Sequence, residues 1–133
     1  MNDEELGKRA VACKGWRWMP GMLALDSCNE EHPARVIDGR RSVVYEDSDG
    51  ATHEGVVSRS DVPNLTDPAT LGCLLALVRE AWSDPGVSVW YDRRVALWSW
   101  MADGCAHSVH RPSDEDGYDT EAEALVAALG AAE

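Results

Sequence analysis

The hydrophobic pattern is strongest between residues 64 and 82, NLTDPATLGCLLALVREAW. Leu71, Leu74, Leu75, Val78 and Trp82 recur at helical spacing, and Cys73, Ala76 and Leu77 widen the same face. Thr66 or Asp67 supplies a cap, and Pro68 suits the first helical position, where no backbone N–H is needed. Ser83-Asp84-Pro85-Gly86 breaks the pattern. The stretch predicts a helix with little exposed surface, around which the rest of the chain is arranged.

Two weaker helical patterns stand at the ends. Residues 2–14 put Leu6, Ala10, Val11 and Cys13 on a thin stripe, with Asn2 and Glu5 at capping-box spacing. Gly7 weakens that helix inside and Gly15 ends it. Residues 119–132 repeat the device with Thr120 and Glu123, and Ala122, Leu125, Val126 and Leu129 form the inner face. Between the helices the period falls to two. Residues 22–25 start a strand after the Pro20-Gly21 turn, and residues 26–33 are polar and read as a loop. Residues 34–37 and 41–45 predict a hairpin through Asp38-Gly39, and residues 52–58 return as a third strand. Residues 87–91 and 94–101 predict a second hairpin around Asp92-Arg93. Its second strand has Ala96, Trp98 and Trp100 on one face and Val95, Leu97 and Met101 on the other, so both faces should be covered. Residues 105–110 can add a last strand. The expected fold is a single α+β domain over residues 1–133: an antiparallel sheet of four to six strands packed on a central helix, with N- and C-terminal helices beside it.

Charge changes the picture more than any motif. The chain has 24 acidic and 12 basic residues, for a net charge of −12. Nonspecific nucleic-acid binding needs Lys and Arg to neutralise phosphates, and anionic membranes repel such a chain. A basic protein partner fits it. Between Asp103 and Glu133, eight acidic residues stand against Arg111 alone. The start, Met-Asn-Asp-Glu-Glu, is acidic with no apolar stretch after it, so a cytoplasmic protein with reduced cysteines is expected. No apolar run approaches a membrane span.

Candidate chemistry is sparse. Cys105, His107 and His110 offer three zinc ligands in six residues, and Cys28 and His32 could add to them. The spacing matches no structural finger, and nothing marks Cys28 or Cys105 as an activated nucleophile. A small zinc-binding or hydrolytic enzyme using Cys105, His107 and His110 is the alternative reading. Glu46-Asp47-Ser48-Asp49-Gly50 begins like a calcium loop but lacks the closing Glu. No phosphate-binding glycine loop is present. Six tryptophans, with no phenylalanine, can fill cores or anchor partners. Trp82 and Trp98 read as core, and Trp16 and Trp18, before a Pro-Gly turn, as partner anchors. The leading assignment is therefore a partner-binding surface of Trp16, Trp18, Glu46, Asp47, Asp49, Asp114, Glu115, Asp116, Asp119 and Glu121, with no catalytic residue, metal or cofactor.

Three segments, GWRWMPGM at 15–22, LTDPATLGCLLALVREAW at 65–82 and TEAEALVAALGAAE at 120–133, resemble small uncharacterised proteins encoded by bacteriophages and prophages. They cover roughly a third of the chain and lie in scaffold, not in catalytic residues. The resemblance implies a non-enzymatic protein acting in the host cytoplasm, with an anti-CRISPR or other anti-defence inhibitor as one form of it. Its partner would be a host protein with a basic surface, such as a CRISPR effector complex, blocked by an acidic imitation of nucleic acid. A homodimer is compatible with it. A phage structural or assembly component is a further possibility.

Overall fold

A computed structural model describes residues 2–26, 29–47, 49–58, 60–94, 96–105, 108–110 and 117–132, without the side chains of 26, 29–32, 103–105 and 108–110. The fold is α+β, and the described residues form three helices, a five-stranded antiparallel sheet and a smaller antiparallel sheet. The chain divides into two compact units. Unit 1 comprises Met1–Val11 and Arg17–Cys73, and unit 2 comprises Ala12–Trp16 and Leu74–Glu133.

Unit 1 begins with α1, Asp3–Ala12, capped at Asn2, whose side chain accepts the Glu5 N–H at 2.8 Å. Five strands follow: β1 (Leu23–Asp26), β2 (Asn29–Val36), β3 (Ser42–Glu46), β4 (Thr52–Val56) and β5 (Val62–Pro63). Their order is β4-β3-β2-β1-β5, a meander whose last strand returns to pair with β1. The core holds Leu6, Trp18, Met22, Val36, Val43 and Leu65. Gly7 is buried because α1 passes close to β5. A Cβ there would stand 3.0 Å from Val62 Cβ.

The sequence misread two parts of this sheet. Residues 29–33 lie in β2 and not in a loop. The β1–β2 register shifts between Ala24 and Asp26, so Pro33, which has no N–H to give, falls in the irregular part. The Asp38-Gly39 pair does not make a two-residue hairpin. The connection is a four-residue turn, 38–41, closed by the Ile37 N–H donating to Ser42 O at 2.8 Å. Its left-handed residue is Arg41 (φ 65°), not Gly39.

Helix α2, Pro68–Ala81, contributes its first turns to unit 1. Asp67 is the cap: its Oδ2 accepts the Thr70 N–H at 2.9 Å and the Thr70 hydroxyl at 2.8 Å. Thr70, fully buried, in turn accepts the Leu23 N–H at 2.9 Å. Arg35 of β2 closes the network, donating to both Asp67 oxygens and to Gly21 O. Burial alone pushes the Asp67 carboxyl up, but the hydrogen bonds from Arg35 and Thr70 and the guanidinium charge outweigh it and hold Asp67 below the ordinary carboxylate range.

Unit 2 receives the rest of α2, with Leu74, Leu77 and Val78 buried. Gly72, Ala76 and Glu80, four residues apart along the whole helix, form an exposed stripe. Ala76 therefore does not widen the apolar face, and Leu71 and Leu75 are only half-buried. The helix stops with Ser83 in the left-handed region (φ 51°). The Ser83 N–H reaches Glu80 O at 3.0 Å and the Asp84 N–H reaches Arg79 O at 2.9 Å, the paired bonds of a Schellman end. Strands β6 (Ser88–Asp92), β7 (Leu97–Cys105) and β8 (Ser108–His110) form the second sheet, in that order. Ala96 falls in the β6–β7 turn, at φ 56°, and not on the strand face shared by Trp98 and Trp100. Helix α3, Glu121–Ala131, has Thr120 as its cap, accepting the Glu123 N–H at 3.1 Å, and buries Ala122, Leu125, Val126 and Leu129 as expected. Trp82 is half-buried, donating to Ala128 O at 2.9 Å and lying 5.8 Å from Trp100. Trp98 is half-buried too, and the tryptophans that are buried are Trp18 and Trp100.

Candidate acidic interface

The acidic residues fall into two groups with different work. One group builds turns. Asp47 Oδ1 accepts the N–H of Asp49 and of Ala51, both at 2.9 Å, two and four residues on. Asp38 Oδ1 does the same for Arg40 at 2.8 Å and Ser42 at 3.1 Å. Asp84 and Asp92 each take the N–H two residues on, at 2.8 and 2.9 Å, and Asp61 takes that of Ser58. Short carboxylates form such turns because they replace a backbone acceptor. Part of the net charge is therefore turn chemistry repeated along the chain.

The other group points outward. β3 and β4 pair without a break from Ser42↔Val56 to Glu46↔Thr52. Alternation puts Ser42, Val44, Glu46, Thr52, Glu54 and Val56 on one face. Val43, Tyr45, His53 and Gly55 share the other, with Val43 buried. Glu46, Asp49 and Glu54 are exposed. Glu46 and Glu54 are diagonal neighbours, roughly 7–8 Å apart by ladder geometry, which is inside the ~8–10 Å screening length of physiological salt. No Lys or Arg occurs between Ser42 and Ser58. Asp47 belongs to this surface by charge but is fixed in the turn: its Oδ2 lies 2.6 Å from His53 Nε2, and the His53 ring stacks on Tyr45 at 5.4 Å. The His53 hydrogen bond, followed by that of the Ala51 N–H, holds the Asp47 carboxyl below its ordinary range, so it is ionised at neutral pH.

Of the remaining sequence candidates, Trp18 belongs to unit 1, and Trp16, Asp119 and Glu121 belong to unit 2. Trp18 is 8% exposed and lies in the core of unit 1, so it cannot serve as a partner anchor. Trp16 is half-buried in unit 2. Asp119 and Glu121 are also in unit 2. Asp119 is exposed, and Glu121 is half-buried in the first turn of α3, where a carboxylate favours the helix N-terminus. Asp114, Glu115 and Asp116 lie outside the described residues. Glu54 and Val56 were missed. Their signal was the Thr-x-Glu-x-Val alternation in the last strand of a meander, which leaves one side unpaired.

The metal candidate does not form the continuous strand expected of residues 105–110. Cys105 ends β7, His110 closes β8, and His107 lies outside the described residues. Among the described residues, no group of three His, Cys, Asp or Glu side chains is placed to hold a metal. Burial pushes the Cys73 thiol up, helped by the charge of Asp67, and the thiol donates to Pro20 O at 3.5 Å, so Cys73 is not an activated nucleophile. No helix among the described residues is long and apolar enough to cross a membrane. No family model matches the chain, and neither the curated proteins nor the solved structures contain a match.

Proposed function

We propose that the protein acts without catalysis, by binding a protein that presents a basic surface. The observation that carries this reading is the run from Ser42 to Ser58, where Glu46, Asp49 and Glu54 are exposed and the sequence holds no Lys or Arg. Glu46 and Glu54, within a screening length of each other, and the exposed Asp49 in the adjoining turn raise the local concentration of cationic partners and repel phosphates. The phage and prophage resemblance supplies a setting. In it, the partner is a nucleic-acid-binding groove of a host defence complex, a CRISPR effector being the leading case, and the acidic surface stands in for the phosphate backbone.

Affinity capture from host lysate at low and high salt tests the reading, followed by a DNA-binding competition with each purified partner. A captured basic protein should be released as salt rises from about 0.05 to about 0.5 M, because exposed charge pairs are screened. Salt-independent capture, or a partner that binds DNA equally well with and without the protein, would sink it.

A further inference from the structure

The outer edge of β4 supports an inference that rests on the acidic-binder reading and gives its partner a form. β4 is the last strand in the order of the five-stranded sheet. Its ladder with β3 fixes which backbone groups face away. The Asp47 N–H donates to Ala51 O and the Val57 N–H to Arg41 O, both at 2.9 Å, so the hydrogen-bonded positions are the odd-numbered ones. By alternation, His53 and Gly55 turn their N–H and C=O toward β3, and Thr52, Glu54 and Val56 turn theirs outward. All three of these residues are exposed, Val56 at 65%.

Open edges invite pairing, and sheets blunt them with proline, bulges, short strands or cover. The other edge of this sheet is blunted: β5 is two residues long, one of them Pro63, and both are buried. β4 has no proline, and its five pairs with β3 run without a bulge. It carries one charge, Glu54. Antiparallel pairing with a second copy centred on Glu54 would set the two Glu54 side chains directly opposite, with Glu46 of each copy near them, and like charges so placed are destabilising. Glu54 therefore opposes self-pairing while favouring a strand of opposite charge. We propose that β4 is the docking edge for an extended basic segment of the partner protein, which adds as a sixth strand. Its main chain pairs with Thr52, Glu54 and Val56, and its Lys or Arg side chains meet Glu54 and Glu46.

The test uses the full chain and a fluorescent peptide alternating Lys with Val and Thr, followed by anisotropy. The peptide should bind. Methylating alternate backbone nitrogens on one edge of the peptide, which keeps its charge but removes its donors, should weaken binding about tenfold or more. Glu54→Lys should weaken the parent peptide by a similar factor and accept a peptide with Glu in place of Lys. Glu54 is exposed, so this variant should keep the wild-type circular dichroism spectrum. No binding of the parent peptide, or equal binding of the methylated one, overturns the proposal. So does a wild-type dimer in sedimentation that Val56→Pro dissolves, because the edge would then belong to a second copy. Salt-sensitive capture of a basic host protein that Glu54→Lys leaves intact overturns the edge but spares the acidic-binder reading. Absence of any such capture by the wild type removes the reading itself.

Discussion

Replacing Thr70 with Val separates hydrogen bonding from packing at the node that ties β1 to α2. The two side chains have the same shape, and position 70 is fully buried, so burial alone predicts that Val stabilises. The Thr70 hydroxyl, however, donates to the Asp67 carboxylate at 2.8 Å and accepts the Leu23 N–H at 2.9 Å. A hydrogen bond to a charged group contributes about 1.5–3 kcal/mol, and a donor left unsatisfied costs about 1–3 kcal/mol. Water reaches part of this site, since Arg35 is partly exposed, so the sum is held to about 3 kcal/mol. With an unfolding entropy near 2.1 cal/mol/K per residue, that is a fall in Tm of about 10 °C for a chain of this size. Thr70→Ser keeps the hydroxyl and removes one methyl, costing about 1 kcal/mol or about 4 °C. Thermal melts followed by circular dichroism should therefore rank wild type above Ser and Ser above Val. Val equal to or above Ser would refute the assignment of the node to hydrogen bonding.

The same node has a pH signature. Asp67 is held below its ordinary value of 3.8, so its contribution is present above that value and is lost as pH falls through the lower folded-state pKa. Between about pH 5 and about pH 2, urea midpoints of the wild type should fall further than those of Asp67→Asn, and parallel curves would contradict the sign. Ser83→Gly should raise stability by about 1 kcal/mol in urea titration, because Ser83 holds a left-handed conformation that costs a side chain about that much. Gly7→Ala, which in an open helix gains about 1 kcal/mol, should here lose about 1 kcal/mol, because its Cβ would press on Val62 of a buried strand. A higher urea midpoint for that variant would show that β5 yields to the new methyl.

What the sequence disclosed depended on whether the controlling interaction was local. The starts of α2 and α3 were legible because Asp67-Pro68 and Thr120-x-x-Glu123 act within one turn. The breaker after Trp82 was legible for the same reason, although the left-handed residue is Ser83 and not the glycine. β5 was not legible. Two residues carry no period, and they become a strand only by pairing with β1, far away in the chain. β2 was missed at residues 29–33 because its register with β1, not its composition, makes it a strand. At the acidic surface, the sequence located Glu46, Asp47 and Asp49 but could not separate a turn-forming carboxylate from an outward one. That distinction depends on backbone N–H groups two and four residues on. Trp18 was misjudged because a Pro-Gly turn beside an indole says nothing about which way the indole faces.

The placement of the indoles has a spectroscopic consequence. Trp18 is the one tryptophan in the sequence of unit 1, and the other five belong to unit 2. There the Trp82 and Trp100 rings lie 5.8 Å apart at 40°, a separation and tilt suited to exciton coupling. Replacing Trp18 with Tyr leaves tryptophan emission from unit 2 alone, and the difference from wild type in that emission reports on unit 1. The two halves of the chain thus carry separate optical labels, and their unfolding can be timed independently without any added dye.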